Sequence, residues 1–201
     1  MNIAVALDLV GTLVFALSGA LVGVRRDLDL FGIAVLAVSA GTGGGGLRAL
    51  LRGTAPPAAL TNELYLPVAL VAAGVGVFYH PRIAKLSSSV RPLDAVGLGF
   101  FAIAGTLKAL DNGQDAVVAV LLGVLTGVGG GVIRDVLVAE VPVVLRQEIY
   151  ALAALVGAAA FVALREAEVT KAIAVPASVA LVVALRILAM RRNWQAPRPR
   201  R

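Results

Sequence analysis

Long apolar segments alternate with short polar ones along the whole chain, and this alternation predicts the architecture. The apolar segments cover residues 3–24, 30–51, 64–79, 93–110, 116–137, 149–164 and 172–190. A straight helix needs about 20 apolar residues to cross a bilayer. The shorter segments therefore require little tilt or a locally thinner bilayer. The pattern predicts an all-α membrane protein with seven transmembrane helices.

The composition places this chain in a membrane. Hydrophobic residues make up 59% of it, the mean hydropathy is +0.92, and charged residues account for only 15%, against about 25% in a soluble domain. Cysteine is absent, which excludes disulfides and thiolate metal sites. No Ser–His pair, paired intramembrane aspartates or metal-ligand cluster stands out. We therefore expect no enzyme, no cofactor, and no metal beyond transient monovalent cations.

Charges in the polar segments predict the orientation. With the N-terminus outside, the basic residues concentrate on the cytoplasmic side, in segments 25–29, 80–91, 140–148 and 191–201. By the positive-inside rule, the sequence predicts a multi-pass inner-membrane protein with a cytoplasmic C-terminus. Residues 1–190 form one transmembrane domain in this interpretation, and 191–201 form a basic tail. The tail has no nucleic-acid motif, so its expected partners are membrane lipids.

An internal repeat divides the domain. Residues 8–56 reappear at 94–142 without a gap, and one constant shift aligns Asp8 with Asp94, Phe15 with Phe101, Asp29 with Asp115 and Arg48 with Arg134. Repeat one covers about 3–79 and repeat two about 92–164, which leaves the seventh helix at about 172–190. Because each copy holds three predicted crossings, the copies enter the membrane in opposite directions. Such inverted repeats typically enclose a solute pathway.

Glycine clusters occupy matched positions in the second and fifth predicted helices. They comprise Gly43, Gly44, Gly45 and Gly46 in one helix and Gly129, Gly130 and Gly131 in the other. Each interior glycine costs about 1 kcal/mol of helix stability relative to alanine. One hypothesis is that both helices are kinked and interrupted there, so that freed carbonyl oxygens line an ion pathway. The alternative is close helix packing through small residues.

The second glycine cluster carries a resemblance to a known family. The stretch 129–135 (GGGVIRD), its partial copy at 43–48 (GGGGLR), and 105–110 (GTLKAL) resemble the prokaryotic trimeric intracellular cation (TRIC) channels. The resemblance implies a homotrimer in which each subunit has a monovalent-cation pathway, with potassium as the expected permeant ion. It also implies kinked second and fifth helices and a basic gating residue on the fourth. Ala49 departs from the pattern, because it stands where the second repeat has Asp135.

Charged residues inside the apolar segments need partners. A lone carboxylate such as Asp8 inside a membrane helix costs several kcal/mol unless it is paired or hydrated. The predicted topology places Asp8 near Arg48 on the outer side and Asp94 near Arg134 on the inner side. We therefore predict two structural ion pairs, one near each mouth. The alternative for Asp94 is a helix N-cap.

Lys108 is the candidate gating residue, because it lies late in the fourth helix where the first repeat has Val22. A positive charge directed into the pathway would oppose cations until voltage or a ligand moved it. In the alternative interpretation, its stem extends to the outer membrane interface.

Two functions remain open on this sequence. The preferred hypothesis is a monovalent cation channel. The alternative is a secondary transporter of a small zwitterion such as glycine, because inverted repeats with broken helices suit alternating access equally well.

Overall fold

A computed structural model describes residues 2–54, 56–86, 90–146, 149–192 and 194. All regular secondary structure in these ranges is helical. The helices are α1 (Ile3–Arg25), α2 (Leu30–Leu51), α3 (Ala58–Thr61), α4 (Tyr65–Leu86), α5 (Arg91–Asp111), α6 (Ala116–Leu137), α7 (Val143–Arg146), α8 (Ile149–Glu166) and α9 (Lys171–Arg191).

Six of these helices, namely α1, α2, α5, α6, α8 and α9, are long and apolar enough to cross a membrane. The apolar part of α4, Tyr65–Tyr79, is shorter. The chain is therefore a multi-pass membrane protein, as its composition predicts. One boundary differs from the prediction: α4 continues to Leu86 through a segment that we expected to be a loop. The helix continues in spite of Pro81, whose ring disfavours a helix interior, through Ala84, Lys85 and Leu86, which favour one.

Local backbone features recur at matched positions in the two repeats. Asp29 caps α2 and Asp115 caps α6, each through its side chain. Left-handed backbone also recurs, at Asp27 and Gly113 and again at Gly53 and Ala139. The short helices α3 and α7 follow α2 and α6 in the same way. The chain is thus two four-helix units, α1–α4 and α5–α8, followed by α9.

The two units meet at equivalent residues of α1 and α5. The rings of Phe15 and Phe101 stack with centroids 5.3 Å apart and planes inclined by 16°. A Cβ atom built on Gly11 would lie 2.4 Å from the Phe101 ring, and one built on Gly97 would lie 2.7 Å from the Phe15 ring. Gly11 on α1 contacts Phe101 on α5, and Phe15 contacts Gly97, so the residue numbers increase in opposite directions and the helices run antiparallel. An approximate two-fold axis therefore passes between the rings.

The glycines of α2 and α6 form the second contact on this axis. A Cβ atom on Gly44 would lie 2.1 Å from the carbonyl oxygen of Thr126, and one on Gly130 would lie 2.3 Å from that of Ala40. Only glycine permits so close a crossing.

The predicted interruption of these two helices is not observed. Each runs as one continuous α-helix through its glycines. Packing between the two helices offsets the weak helix propensity of the glycines, so their hydrogen-bond ladders are not broken. The alternative of close packing through small residues therefore describes this crossing.

The additional helix α9 packs against α5 and α8. A Cβ atom on Gly99 of α5 would lie 3.2 Å from the carbonyl oxygen of Val179, and one on Gly157 of α8 would lie 2.0 Å from a methyl carbon of Val182. Phe161 of α8 is fully buried in the apolar core that these helices share. This core also includes Ala4 and Leu7 of α1, but it does not include the stacked rings of Phe15 and Phe101.

Candidate functional site

Asp8 is the centre of one buried charge cluster. Its side chain on α1 is 2% exposed, and Nη2 of Arg48 lies 3.3 Å from its Oδ2. The hydroxyl of Tyr65 donates to the same oxygen at 3.1 Å, and the ammonium group of Lys108 also binds it. Helices α1, α2, α4 and α5 thus converge on one carboxylate oxygen. We call Asp8, Arg48, Tyr65 and Lys108 the Asp8 cluster.

The second cluster is built around Arg134 of α6. Its Nη1 donates to Oδ1 of Asp94 at 2.7 Å and also binds the hydroxyl of Ser18. Its Nε and Nη2 donate to Oδ1 of Asp135 at 2.9 and 2.8 Å. The amide of Val143, at the start of α7, donates to Oδ2 of Asp135 at 3.0 Å. We call Asp94, Arg134, Asp135 and Ser18, together with the neighbouring Tyr150, the Asp94 cluster.

The structure brings together both pairs that the repeat predicted, Asp8 with Arg48 and Asp94 with Arg134. The alternative for Asp94 is not observed, because the N-cap of α5 is Val90 and no side chain caps that helix. Since α1 and α5 are antiparallel, the two clusters lie toward opposite ends of the bundle.

Lys108 lies inside the bundle rather than at its surface. Its side chain is only 17% exposed and is bound to Asp8. In this conformation Lys108 therefore does not extend to the outer membrane interface, as the alternative interpretation expected. In the Asp94 cluster, the matched position is Val22, which lines the cavity there.

The two clusters border cavities of different size. The cavity beside Asp94 has a volume of about 210 Å³ and is lined by Val22, Arg25, Arg26, Asp94, Asp135 and Glu140, among others. The one beside Asp8 measures about 10 Å³ and is lined by Thr12, Gly45, Arg48, Tyr65 and Phe101, among others. One water molecule needs about 10–15 Å³. In this conformation the Asp94 end holds an open, polar space, whereas the Asp8 end is nearly filled.

The proposed pathway glycines divide into packing and cluster-facing positions. Gly43 would contact Ile133, and Gly129 would contact Leu47 and Gly44, so these glycines pack between α2 and α6. Gly44 and Gly130 form the crossing itself.

The remaining three glycines do not pack in the crossing. A Cβ atom on Gly45 would lie 3.9 Å from Nη2 of Arg48, and one on Gly131 would lie 3.2 Å from the Tyr150 hydroxyl. Gly46 has no atom within 4 Å of its Cβ position. Gly45 and Gly131 are thus the glycines that face the two clusters.

Two tyrosines of the clusters were not predicted from the sequence. Tyr65 binds Asp8, and the hydroxyl of Tyr150 lies with Asp94 and Arg134 around the Cβ position of Gly131. The guanidinium of Arg186 stacks 4.7 Å from the centroid of the Tyr150 ring. The sequence does contain a signal for these tyrosines. When the sequence is shifted by one residue less than the repeat shift, Tyr65 aligns with Tyr150 and residues 69–71 align with 154–156.

Comparison with known proteins settles the family. A family model described as "Glycine transporter" matches residues 5–81 and 92–166. A UPF0126 membrane protein of Deinococcus radiodurans is 44% identical over 156 residues, covering 77% of this chain and 73% of the relative. The UPF0126 membrane protein SCO4104 of Streptomyces coelicolor is 42% identical over 195 residues, covering 96% and 89%. The chain belongs to the UPF0126 family.

This UPF0126 protein also resembles solved structures along nearly its whole length. A TRIC cation channel structure matches with a TM-score of 0.87 and 34% identity, covering 99% of this chain and 98% of that one. The TRIC trimeric intracellular cation channel orthologue from Rhodobacter sphaeroides matches with a TM-score of 0.87 and 37% identity, covering 96% and 100%. The resemblance inferred from the glycine and arginine motifs is confirmed.

Proposed function

We propose that this UPF0126 protein is a homotrimeric channel for monovalent cations in the inner membrane, with potassium as the main permeant ion. The observation that carries the proposal is its likeness to TRIC cation channels over 96–99% of the chain, at 34–37% identity. The described helices pack around a polar cavity of about 210 Å³ beside Asp94, which supports a transport role rather than an enzymatic one.

The proposed pathway runs along the interface between the two halves of one subunit. The antiparallel contacts of α1 with α5 and of α2 with α6 support an inverted arrangement of the repeats in the membrane. A cation would enter the cavity of about 210 Å³ beside Asp94. It would then pass the helix crossing and leave past the Asp8 cluster.

Lys108 blocks this route at the Asp8 end. A cation that enters the Asp8 cavity meets the charges of Lys108 and Arg48 against the single carboxylate of Asp8. Two like charges about 4 Å apart repel by about 4 kcal/mol at an effective dielectric constant of 20. We propose that the conformation described is closed and that movement of Lys108 away from Asp8 opens the pathway.

A second candidate function rests on the family model described as "Glycine transporter". Two halves related by a two-fold axis suit alternating access as well as they suit a channel. In that case the cavity beside Asp94 would be the substrate site, since it presents both arginines and carboxylates to a zwitterion.

Recording from purified protein in planar bilayers separates the two functions. A potassium channel in a tenfold KCl gradient gives unitary currents that reverse near the potassium equilibrium potential, about 59 mV from zero. The same preparation in vesicles should take up no glycine above the level of empty vesicles. Saturable glycine uptake without unitary currents would replace the channel with the transporter. Protein that is monomeric in detergent and in bilayers would contradict the proposed homotrimer.

A further inference from the structure

The stacked rings of Phe15 and Phe101 lie at the centre of the molecule. Their residues are 0% and 2% exposed, and each ring lies against a glycine of the opposite helix, Gly97 for Phe15 and Gly11 for Phe101. The same contact therefore occurs twice, with the two halves exchanged. The ring pair therefore belongs equally to both halves of the molecule.

The rings also separate the two charge clusters. Each phenylalanine follows the aspartate of its own helix, Asp8 or Asp94, by seven residues, which is about 10 Å along an α-helix. Because α1 and α5 run antiparallel, this spacing places the rings between the clusters. Phe101 forms a wall of the cavity beside Asp8.

The rings join the glycine crossing to form one closed layer. A Cβ atom on Gly130 would lie 3.4 Å from Cγ of Phe15 and 2.3 Å from the carbonyl oxygen of Ala40. The ring pair and the α2–α6 crossing are thus in contact. The axis of inverted repeats lies in the membrane plane, so an ion that moves directly from one cluster to the other crosses it and must displace this layer.

We propose that Phe15 and Phe101 form the central gate of the pathway, a hydrophobic constriction that is separate from Lys108. The proposal rests on the proposed channel function. Hydrophobic constrictions gate by excluding water, and a cation without water or a polar partner is strongly disfavoured in an apolar passage. The competing account is that the rings are core packing and that ions cross elsewhere in the molecule.

Alanine variants of the two rings test the gate in single-channel recordings. Phe15→Ala and Phe101→Ala should each raise the open probability about tenfold, which corresponds to about 1.4 kcal/mol. The two effects should be similar because the contact is symmetric. Phe161→Ala is the matched control, since Phe161 is equally buried but lies in an apolar core of α1, α5, α8 and α9 that does not include Phe15 or Phe101.

Assembly is checked first by the elution position of each purified variant. If an alanine variant does not assemble, Phe15→Leu and Phe101→Leu take its place. These leucine variants should raise the open probability by less than the alanine variants. The control Phe161→Leu should not raise it. Unchanged open probability in the assembled Phe15 and Phe101 variants overturns the gate. An equal increase in the Phe161 variant also overturns it. If the wild-type protein gives no currents, the proposed channel function is contradicted. Failure of the gate proposal is therefore distinguishable from failure of the channel function.

Discussion

The Asp8 and Asp94 clusters share a frame but carry different charges. Both contain an aspartate on the first helix of a unit, an arginine on the second, and a nearby tyrosine on the fourth. They differ at three matched positions: Ser18 in the Asp94 cluster has Ala104 as its match, and the other two differences involve charge. Lys108 in the Asp8 cluster replaces Val22, and Asp135 in the Asp94 cluster replaces Ala49.

These two exchanges reverse the balance of charge. In the Asp8 cluster one carboxylate holds two cations, Arg48 and Lys108. In the Asp94 cluster two carboxylates hold Arg134. The backbone remains matched, since α2 and α6 begin and end at equivalent residues. The halves of this protein therefore differ functionally through a few side chains on a shared scaffold.

The largest expected effect comes from removing the shared aspartates one at a time. Asp8→Asn leaves Arg48 and Lys108 buried without a carboxylate, and breaking a buried pair in this way costs about 3–5 kcal/mol. Asp94→Asn leaves Arg134 with Asp135, so we expect a loss of about 1–3 kcal/mol. Unfolding of the purified variants in detergent measures both losses.

The matched control for these variants is Asp111→Asn. Asp111 pairs with Lys171 at 2.6 Å, but both side chains are more than a third exposed, so the expected loss is below about 1 kcal/mol. If Asp94→Asn proves as destabilising as Asp8→Asn, the difference in charge balance between the clusters has no energetic consequence.

The pairing of Asp8 with Arg48 could be predicted because the repeat and the charge distribution together place both residues on the same side of the membrane. The contact of Lys108 with Asp8 was missed, although both residues were expected on the same side. It depends on α1 and α5 being neighbours, which no local pattern encodes. Tyr65 and Tyr150 were missed because the repeat shifts by one residue before them.

The glycine clusters show the limit of helix propensity as a guide. Propensity favours a break at Gly43–Gly46, but the observed α2 is continuous. The close approach of Gly44 to Thr126 stabilises α2 through its contact with α6. Helix propensity describes one helix at a time and does not include this contact.

The next effect in size concerns gating. Lys108→Gln removes the second cation from the Asp8 cluster and should raise the open probability several-fold, because one charge in the full field is worth about 2.3 kcal/mol per 100 mV. Lys108→Arg should preserve gating. Lys171→Gln serves as the control, since Lys171 is an exposed lysine that pairs with Asp111. Equal open probabilities for Lys108→Gln and wild type would make Lys108 a structural residue only.

The smallest expected effect compares the two cluster-facing glycines. Gly45→Ala should stabilise α2 by up to about 1 kcal/mol, because the nearest atom to the new Cβ would be 3.9 Å away. Gly131→Ala gains the same propensity but brings its Cβ to 3.2 Å from the Tyr150 hydroxyl, so the gain should be cancelled. Thermal unfolding of the two variants checks this difference. Equal stabilisation would mean that the Asp94 cluster is as loosely packed around its glycine as the Asp8 cluster.

Moving the lysine from one cluster to the other tests whether the charge difference between the clusters makes the two halves functionally different. The double variant Lys108→Val with Val22→Lys moves one positive charge from the Asp8 end to the Asp94 end, where the cavity of about 210 Å³ has room for it. Currents are recorded across a voltage ramp from channels that all have the same orientation in the bilayer. We predict that the voltage polarity that favours opening reverses relative to wild type. An assembled double variant that opens at the wild-type polarity would contradict the claim that the charge difference between the clusters makes the two halves functionally different.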